Sequence, residues 1–147
     1  MVALAAILGL CERAGAQAGC IVGWGDGVTA GTNLFLIPPT GTDYVEIAAG
    51  FKFCIARRSN GRLVGWGTNA QGQASPPLGS FVAISAGFSH AMALAADGKV
   101  SVWGSVGPNG ELLPPAGLEA TAIAAGENWC VAIQTNGRLM RGATRCW

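Results

Sequence analysis

The feature that most constrains this chain is a set of short words repeated in fixed order along it. Trp-Gly occurs at Trp24-Gly25, Trp66-Gly67 and Trp103-Gly104, and Trp147 stands where a fourth copy would begin. A small-small-Gly triplet recurs as Ala48-Ala49-Gly50, Ser85-Ala86-Gly87 and Ala124-Ala125-Gly126. An Asx-Gly dipeptide recurs as Asn60-Gly61, Asp97-Gly98 and Asn136-Gly137, and Pro-Pro as Pro38-Pro39, Pro76-Pro77 and Pro114-Pro115. Four independent markers in one order define an array of three repeats and a truncated fourth.

The spacing within the repeat separates packed parts from loops. Ten residues divide the triplet glycine from the turn residue in every copy, from 50 to 60, 87 to 97 and 126 to 136. The distance from Trp-Gly to the next triplet varies, from 25 to 50, 67 to 87 and 104 to 126. A fixed segment is a packed element and a variable one is a surface loop, so the double proline marks the loop of each repeat.

The fixed segment has the pattern of strands. Val82, Ile84 and Ala86 alternate with Ala83 and Ser85, and Val45-Glu46-Ile47 repeats the alternation. Met92 and Leu94 then alternate with alanines, and Val100 and Val102 follow Asp97-Gly98. Asx-Gly between two such runs predicts a hairpin with a type I′ turn, which needs positive φ at both central residues. Each repeat is therefore a short strand, a glycine turn and a hairpin ending in Trp-Gly. The 23 glycines and 7 prolines among 147 residues fit many short elements joined by tight turns. With half the residues apolar and 12% charged, the chain is no disordered segment. Its length suits one domain, and a net charge of +1 gives no electrostatic basis for binding nucleic acid.

The marked residues have structural explanations. One large aromatic per repeat at a fixed place (Trp24, Trp66, Trp103, Trp147) is a core anchor against the neighbouring repeat. Gly50, Gly87 and Gly126 are repeat anchors of the same kind. The one histidine, His90, stands where the sister repeats carry Phe53 and Trp129, so ring packing explains all three better than catalysis or metal binding. Cys54, Ala91 and Cys130 share one register and are small buried hydrophobes. Cys146 falls across the hairpin from Cys130, and export to an oxidising compartment would allow a Cys130–Cys146 bridge, with Cys11 and Cys20 pairing likewise. Arg57 replaces Leu94 and Ile133, which is odd for a core position; with Arg58 and Arg62 it marks either a solvated hairpin end or a contact for an acidic partner. No nucleophile motif, phosphate loop, paired carboxylates or metal-ligand spacing is present, so no catalytic residue, metal or cofactor is expected.

The string Val-x-x-Trp-Gly, a Pro-rich loop, Ala-Ile-x-Ala-Gly-x-x-His-x-x-Ala-Leu and Asp-Gly resembles the RCC1-like repeat (regulator of chromosome condensation). The match is best from Leu63 to Gly104, including Asn69-Ala70-Gln71-Gly72-Gln73, Pro77-Leu78, Ala83-Ile84, Gly87, His90 and Ala93-Leu94, and extends over about Gly19 to Trp147. The short repeat is more similar to the bacterial and receptor-ectodomain versions than to the nuclear ones. The resemblance implies an all-β chain of β-propeller blades near 19–61, 62–98 and 99–137, with a truncated blade at 138–147. Members are typically seven-bladed, and three to four blades do not close such a ring alone. The chain is then a fragment, an open arc or one that assembles with copies of itself; a homodimer or missing blades would complete the propeller. By resemblance to bacterial inhibitor propellers, another protein would bind the turns after the triplet glycines: Phe51 and Lys52, Phe88 and Ser89, Glu127 and Asn128. A non-enzymatic protein-interaction scaffold is the leading function. Guanine-nucleotide exchange on a small GTPase is the alternative; it calls for an acidic exchange loop or a longer repeat with a basic tail, and neither is visible. The third is a structural repeat module or gene fragment without independent function.

Two readings of residues 1–18 stand side by side. Val2 to Leu10 followed by Ala16-Gln17-Ala18 resembles a secretory leader, although no positive residue precedes the run. Val2-Ala3-Leu4-Ala5-Ala6 also copies Met92-Ala93-Leu94-Ala95-Ala96, as the degenerate end of an earlier repeat would. The first implies secretion and the second a cytoplasmic protein; neither spans a bilayer, which takes about 20 apolar residues.

Overall fold

The ten-residue spacing between triplet and turn is the length of one strand and its reversal, and it recurs as three small sheets. The computed structural model describes residues 19–23, 38–107, 112–135 and 139–141. Its strands are β1 (Tyr44–Gly50), β2 (Phe53–Arg58), β3 (Leu63–Gly67), β4 (Phe81–Ala86), β5 (His90–Ala95), β6 (Val100–Gly104), β7 (Ala120–Ala125), β8 (Cys130–Gln134) and β9 (Leu139–Arg141). They form three antiparallel sheets in the orders β1-β2-β3, β4-β5-β6 and β7-β8-β9. The first two read as the sequence implies: a short strand, a glycine turn and a hairpin ending in Trp-Gly. The Asn60-Gly61 turn, at which the sequence repeats are divided, lies inside the first sheet, so sheets and sequence repeats are offset by one strand. Among the described residues there is no helix, hence none long and apolar enough to cross a membrane.

The two described Asx-Gly turns differ from the type I′ expectation, and the third, Asn136-Gly137, lies outside the described residues. Only the glycine takes positive φ, 82° at Gly61 and 85° at Gly98, while Asn60 and Asp97 do not. The amide of Gly61 donates to the Arg58 carbonyl and that of Arg58 to the Arg62 carbonyl; Gly98, Ala95 and Lys99 repeat the pattern. This is a three-residue loop closing on a left-handed glycine, the alternative Asx-Gly solution. The Asx side chain has another task here: Asn60 Oδ1 accepts from the Arg62 amide at 3.0 Å and Asp97 Oδ1 from the Lys99 amide at 3.1 Å.

A second departure lies at the start of each sheet. The ladder shifts register between Tyr44 and Glu46, Phe81 and Ala83, and Ala120 and Ala122. This β-bulge ejects the residue between. Val45 and Val82 are therefore exposed and do not join the inward row that period-two alternation predicts. The same shift sets Glu46 opposite Arg57. Arg57 Nε donates to Glu46 Oε2 at 2.6 Å, and Glu46 Oε1 accepts the amide of Ile84 in the next sheet at 3.2 Å. The pair stands where the second sheet has Ala83 opposite Leu94 and the third Ala122 opposite Ile133. Arg58 likewise pairs with Asp43 at 2.6 Å and lies over the Tyr44 ring. Both arginines are thus held by carboxylates of their own blade.

The sheets pack face on face in chain order. Alternation in the middle strands sends one row forward and the other back. Phe53 and Ile55 of β2 form one core with Phe81, Ile84, Ala91 and Ala93 of the second sheet. Leu94 of β5 forms another with Ala120 and Ala132 of the third. The inner strands β1, β4 and β7 contact one another from sheet to sheet, and the outer strands make no comparable contact.

Along the inner edge the triplet glycines stack. A Cβ on Gly50 would come within 2.5 Å of the Gly87 carbonyl oxygen, and one on Gly87 would strike the Gly126 carbonyl oxygen and the His90 ring. Backbone bonds run beside them: the Phe51 amide donates to the Phe88 carbonyl at 3.2 Å, and the Phe88 amide to the Glu127 carbonyl at 3.1 Å. Neighbouring sheets touch here backbone to backbone, a distance only glycine permits. Gly87→Ala is expected to lose about 2 kcal/mol or more in urea unfolding, because backbone and a packed ring block the new methyl. Gly19→Ala, with nothing within 4 Å of the added atom, should leave the midpoint unchanged.

Candidate binding surface

The glycine stack brings the three turns that follow it into one row. Gly50 pairs with Phe53 across the first turn, leaving Phe51 and Lys52 at its tip; Phe88-Ser89 and Glu127-Asn128 occupy the same place in the next sheets. The inter-sheet bonds at Phe51 and Phe88 hold the tips at backbone spacing. As a result the Phe51 and Phe88 rings stack, with centroids 4.3 Å apart and planes 8° from parallel. Such stacks contribute about 0.5–1.5 kcal/mol beyond area burial. Lys52 Nζ lies 5.1 Å from the Phe51 centroid, a cation–π distance. Lys52 is also the one described non-glycine residue with positive φ, at 61°. The rings remain 49% and 40% exposed, so the pair is ordered yet open to solvent. Beyond Phe88 the row continues into Glu127 and Asn128, both exposed. Ser89 is half-buried. The six residues expected at the binding face thus share one edge, as a flat apolar strip with a cation beside one end and a carboxylate-bearing residue at the other.

The anchors fall elsewhere. Trp103 is half-buried, and its Nε1 donates to the Gln73 carbonyl at 3.0 Å, fastening the second sheet to the loop before it. Trp66 is half-buried. Trp24, Trp147 and Cys146 lie outside the described residues, as does the apolar segment 1–18. The register Val131↔Arg141 matches Ile55↔Gly65 and Met92↔Val102, so the sequence position equivalent to Trp66 and Trp103 is 142, a glycine.

The shared register of Phe53, His90 and Trp129 holds, but their environments differ. Phe53 and His90 are 1% exposed, each under the next sheet, whereas Trp129 is 55% exposed. Trp129 lies against Gly126 as His90 does against Gly87, and no described residue follows to cover it. Ring packing therefore accounts for two of the three residues. His90 also has a partner that repeat comparison did not reveal: its Nε2 is 3.4 Å from Cys130 Sγ, between the second and third sheets. Forty residues separate the two, so only stacking of the sheets joins them. Cys130 is a free thiol, buried as expected, while Cys54 is half-buried. Burial pushes the Cys130 thiol up to about 11 and raises that of Cys54. Burial also lowers His90 below its ordinary value, opposed by a hydrogen bond with the Trp129 backbone. A nucleophilic thiol requires the reverse, a depressed pKa beside a cationic imidazole. An apolar crevice of about 20 Å³, lined in part by Met92, Val102, Leu113 and Val131, has room for about one water.

Small antiparallel sheets stacked face on face with converging inner strands are blades of a β-propeller. The profile of the regulator of chromosome condensation (RCC1) repeat matches residues 44–73 and 81–111, the first two sheets with the loops that follow them. These two segments match the RCC1 repeat, and the third sheet has the same build outside the matched segments. The entire ectodomain of the Physcomitrella patens receptor kinase CR4 is similar at 24% identity over 73% of this chain and 32% of that one, with a TM-score of 0.59. Prp20p from Saccharomyces cerevisiae, whose binding to Gsp1p and histones has been described, is similar at 21% identity over 71% and 32%, with a TM-score of 0.55. Yeast RCC1 (Prp20) in its complex with Kap60 is similar at 21% identity over 71% and 30%, with a TM-score of 0.54. The chain thus spans about a third of the length of the structures it resembles. No curated protein gives a significant sequence match.

The buried imidazole implies a pH dependence. Burial shifts His90 toward its neutral form in the fold, whereas the unfolded imidazole takes up a proton near pH 6.5. Below that value the unfolded chain binds more protons, so stability falls as pH drops. Urea midpoints measured from pH 7.5 to 5 should decline below about 6.5. In His90→Phe, which copies the Phe53 slot, the decline in that window should disappear.

Proposed function

We propose that the chain is a non-enzymatic protein-binding module whose contact surface is the row of turn tips Phe51-Lys52, Phe88-Ser89 and Glu127-Asn128. The observation that carries this reading is the solvent-open stack of Phe51 on Phe88. A monomeric domain gains little from leaving two large rings in water, but a binding surface gains a preorganised apolar anchor. Both rings are already ordered by the inter-sheet backbone bonds, so a partner need not bear the full entropy of fixing them. Lys52 at one end and Glu127 at the other would orient a partner of complementary charge along the strip. The non-enzymatic half of the reading rests on chemistry: the buried Cys130–His90 pair, the obvious candidate for nucleophilic work, has a thiol shifted away from reactivity.

Affinity capture from an extract of the source cell, with wild type and Phe51→Ala/Phe88→Ala compared by quantitative mass spectrometry, tests the surface. The double variant should keep its far-UV circular dichroism and urea midpoint. Proteins retained by wild type should bind it about 30-fold more weakly, the loss of a hot-spot anchor of about 2 kcal/mol. Unfolding of the variant would make the two rings part of the core and defeat the assignment.

A further inference from the structure

The stack of rings at the turn tips has two ends, and they differ in chemistry. Residues 51, 88 and 127 occupy one position of successive blades, since the Phe51 amide donates to the Phe88 carbonyl and the Phe88 amide to the Glu127 carbonyl. On the first-blade side Lys52 Nζ lies over the Phe51 ring at 5.1 Å. On the third-blade side the next member of the row is a carboxylate, so the stack ends with the Phe88 ring beside Glu127. Phe88 is 40% exposed and Glu127 is exposed as well. The ion pairs formed among the described residues are Arg57–Glu46, Arg58–Asp43 and Lys99–Asp97, and Glu127 belongs to none of them.

The same chain shows what an aromatic face beside a carboxylate holds. At the start of the first blade, Asp43 and Tyr44 together hold Arg58. Its Cζ lies 4.8 Å from the Tyr44 centroid, and its Nη1 donates to Asp43 Oδ1 at 2.6 Å. A guanidinium suits such a site because it is planar and weakly hydrated: its face lies on a ring while its fork of N–H donors reaches a carboxylate. An ammonium is a compact, strongly hydrated charge that meets the carboxylate without covering the ring. Ring and carboxylate recur at Phe88 and Glu127, with no described arginine between them.

We propose that the Phe88–Glu127 end of the strip is a receptor for an arginine side chain of a partner protein, whose guanidinium lies on the Phe88 ring and donates to the Glu127 carboxylate. The inference rests on the reading of the turn tips as a contact surface and names the chemistry that one end of it selects. Lys52 stands on the far side of both rings and does not compete for the carboxylate. The two turns are fixed to each other by a backbone bond of 3.1 Å, so the ring and the residue bearing the carboxylate are already neighbours before a partner arrives.

Titration of the full chain with the blocked peptide acetyl-Gly-Arg-Gly-amide, followed by NMR shifts of backbone amides and phenyl rings, tests the receptor. Shifts should concentrate at Phe88, Glu127 and Asn128, with binding in the millimolar range or weaker, as one exposed cation–π contact and one exposed ion pair allow. Peptides with lysine or uncharged citrulline in place of the arginine should bind about fivefold more weakly. Glu127→Gln should keep the circular dichroism of wild type and lose about as much affinity for the arginine peptide; Glu127→Ala serves in its place should that variant misfold. Equal binding of the arginine and lysine peptides, full affinity in Glu127→Gln, or no shift at Phe88 and Glu127 each overturns the proposal. The capture experiment separates this outcome from that of the surface. Partners lost by Phe51→Ala/Phe88→Ala but fully retained by Glu127→Gln leave the contact surface standing and overturn the arginine receptor. Partners retained by both variants defeat the surface itself, and the receptor with it.

Discussion

Everything in this molecule is spaced by the place where two backbones meet without side chains between them. Packed sheets ordinarily lie about 10 Å apart. At Gly50, Gly87 and Gly126 that separation closes until the carbonyl of one sheet occupies the volume a Cβ of its neighbour would need. The inner strands converge on this edge and the outer ones spread from it, so each sheet is set as a wedge. The apolar rows fill the widening gap, with Phe53, Ile55 and Ile84 at the first interface and Leu94 and Ala132 at the second. The aromatic pair at the turn tips is a product of the same edge: two rings on successive turns stack at 4.3 Å because the turns are bonded at backbone spacing.

The repeat, its strand content and the place of each turn were legible because they depend on residue types at constant intervals. Fine backbone geometry was less so. Asx-Gly suits both a two-residue turn and a three-residue loop ending on a left-handed glycine, and the dipeptide alone does not separate them. The bulge escaped for a similar reason. Val82-Ala83-Ile84 reads as plain alternation, and only the strand opposite shows that Val82 is the extra residue. Arg57 was recognisable as anomalous, since Leu94 and Ile133 occupy its register. Its partner was not, because Glu46 faces it only through the one-residue slip that the bulge introduces.

The surface was partly legible as well. Equivalent positions in a repeat share register but not neighbours, and that difference governs what repeat comparison can reveal. Phe51 and Phe88 could be assigned to the same turn, whereas their stacking depends on the distance between blades. Phe53, His90 and Trp129 could be assigned to one row, whereas burial of the first two and exposure of the third depend on what lies beyond each blade. The Cys130–His90 contact joins blades rather than positions within one, so comparing repeats could not reveal it.

A contact made by backbone alone is indifferent to the side chains on either side of it. Blades joined in this manner are interchangeable parts: a tandem duplication of one segment yields a neighbour that already fits, with no compensating substitutions at the inner edge. The residues around that edge are then free to diverge copy by copy, as Glu46 and Arg57 have done where the sister blades carry alanine and an aliphatic residue. The glycines that permit the junction have no such latitude, and they set the unit in which a gene of this kind can grow or shrink.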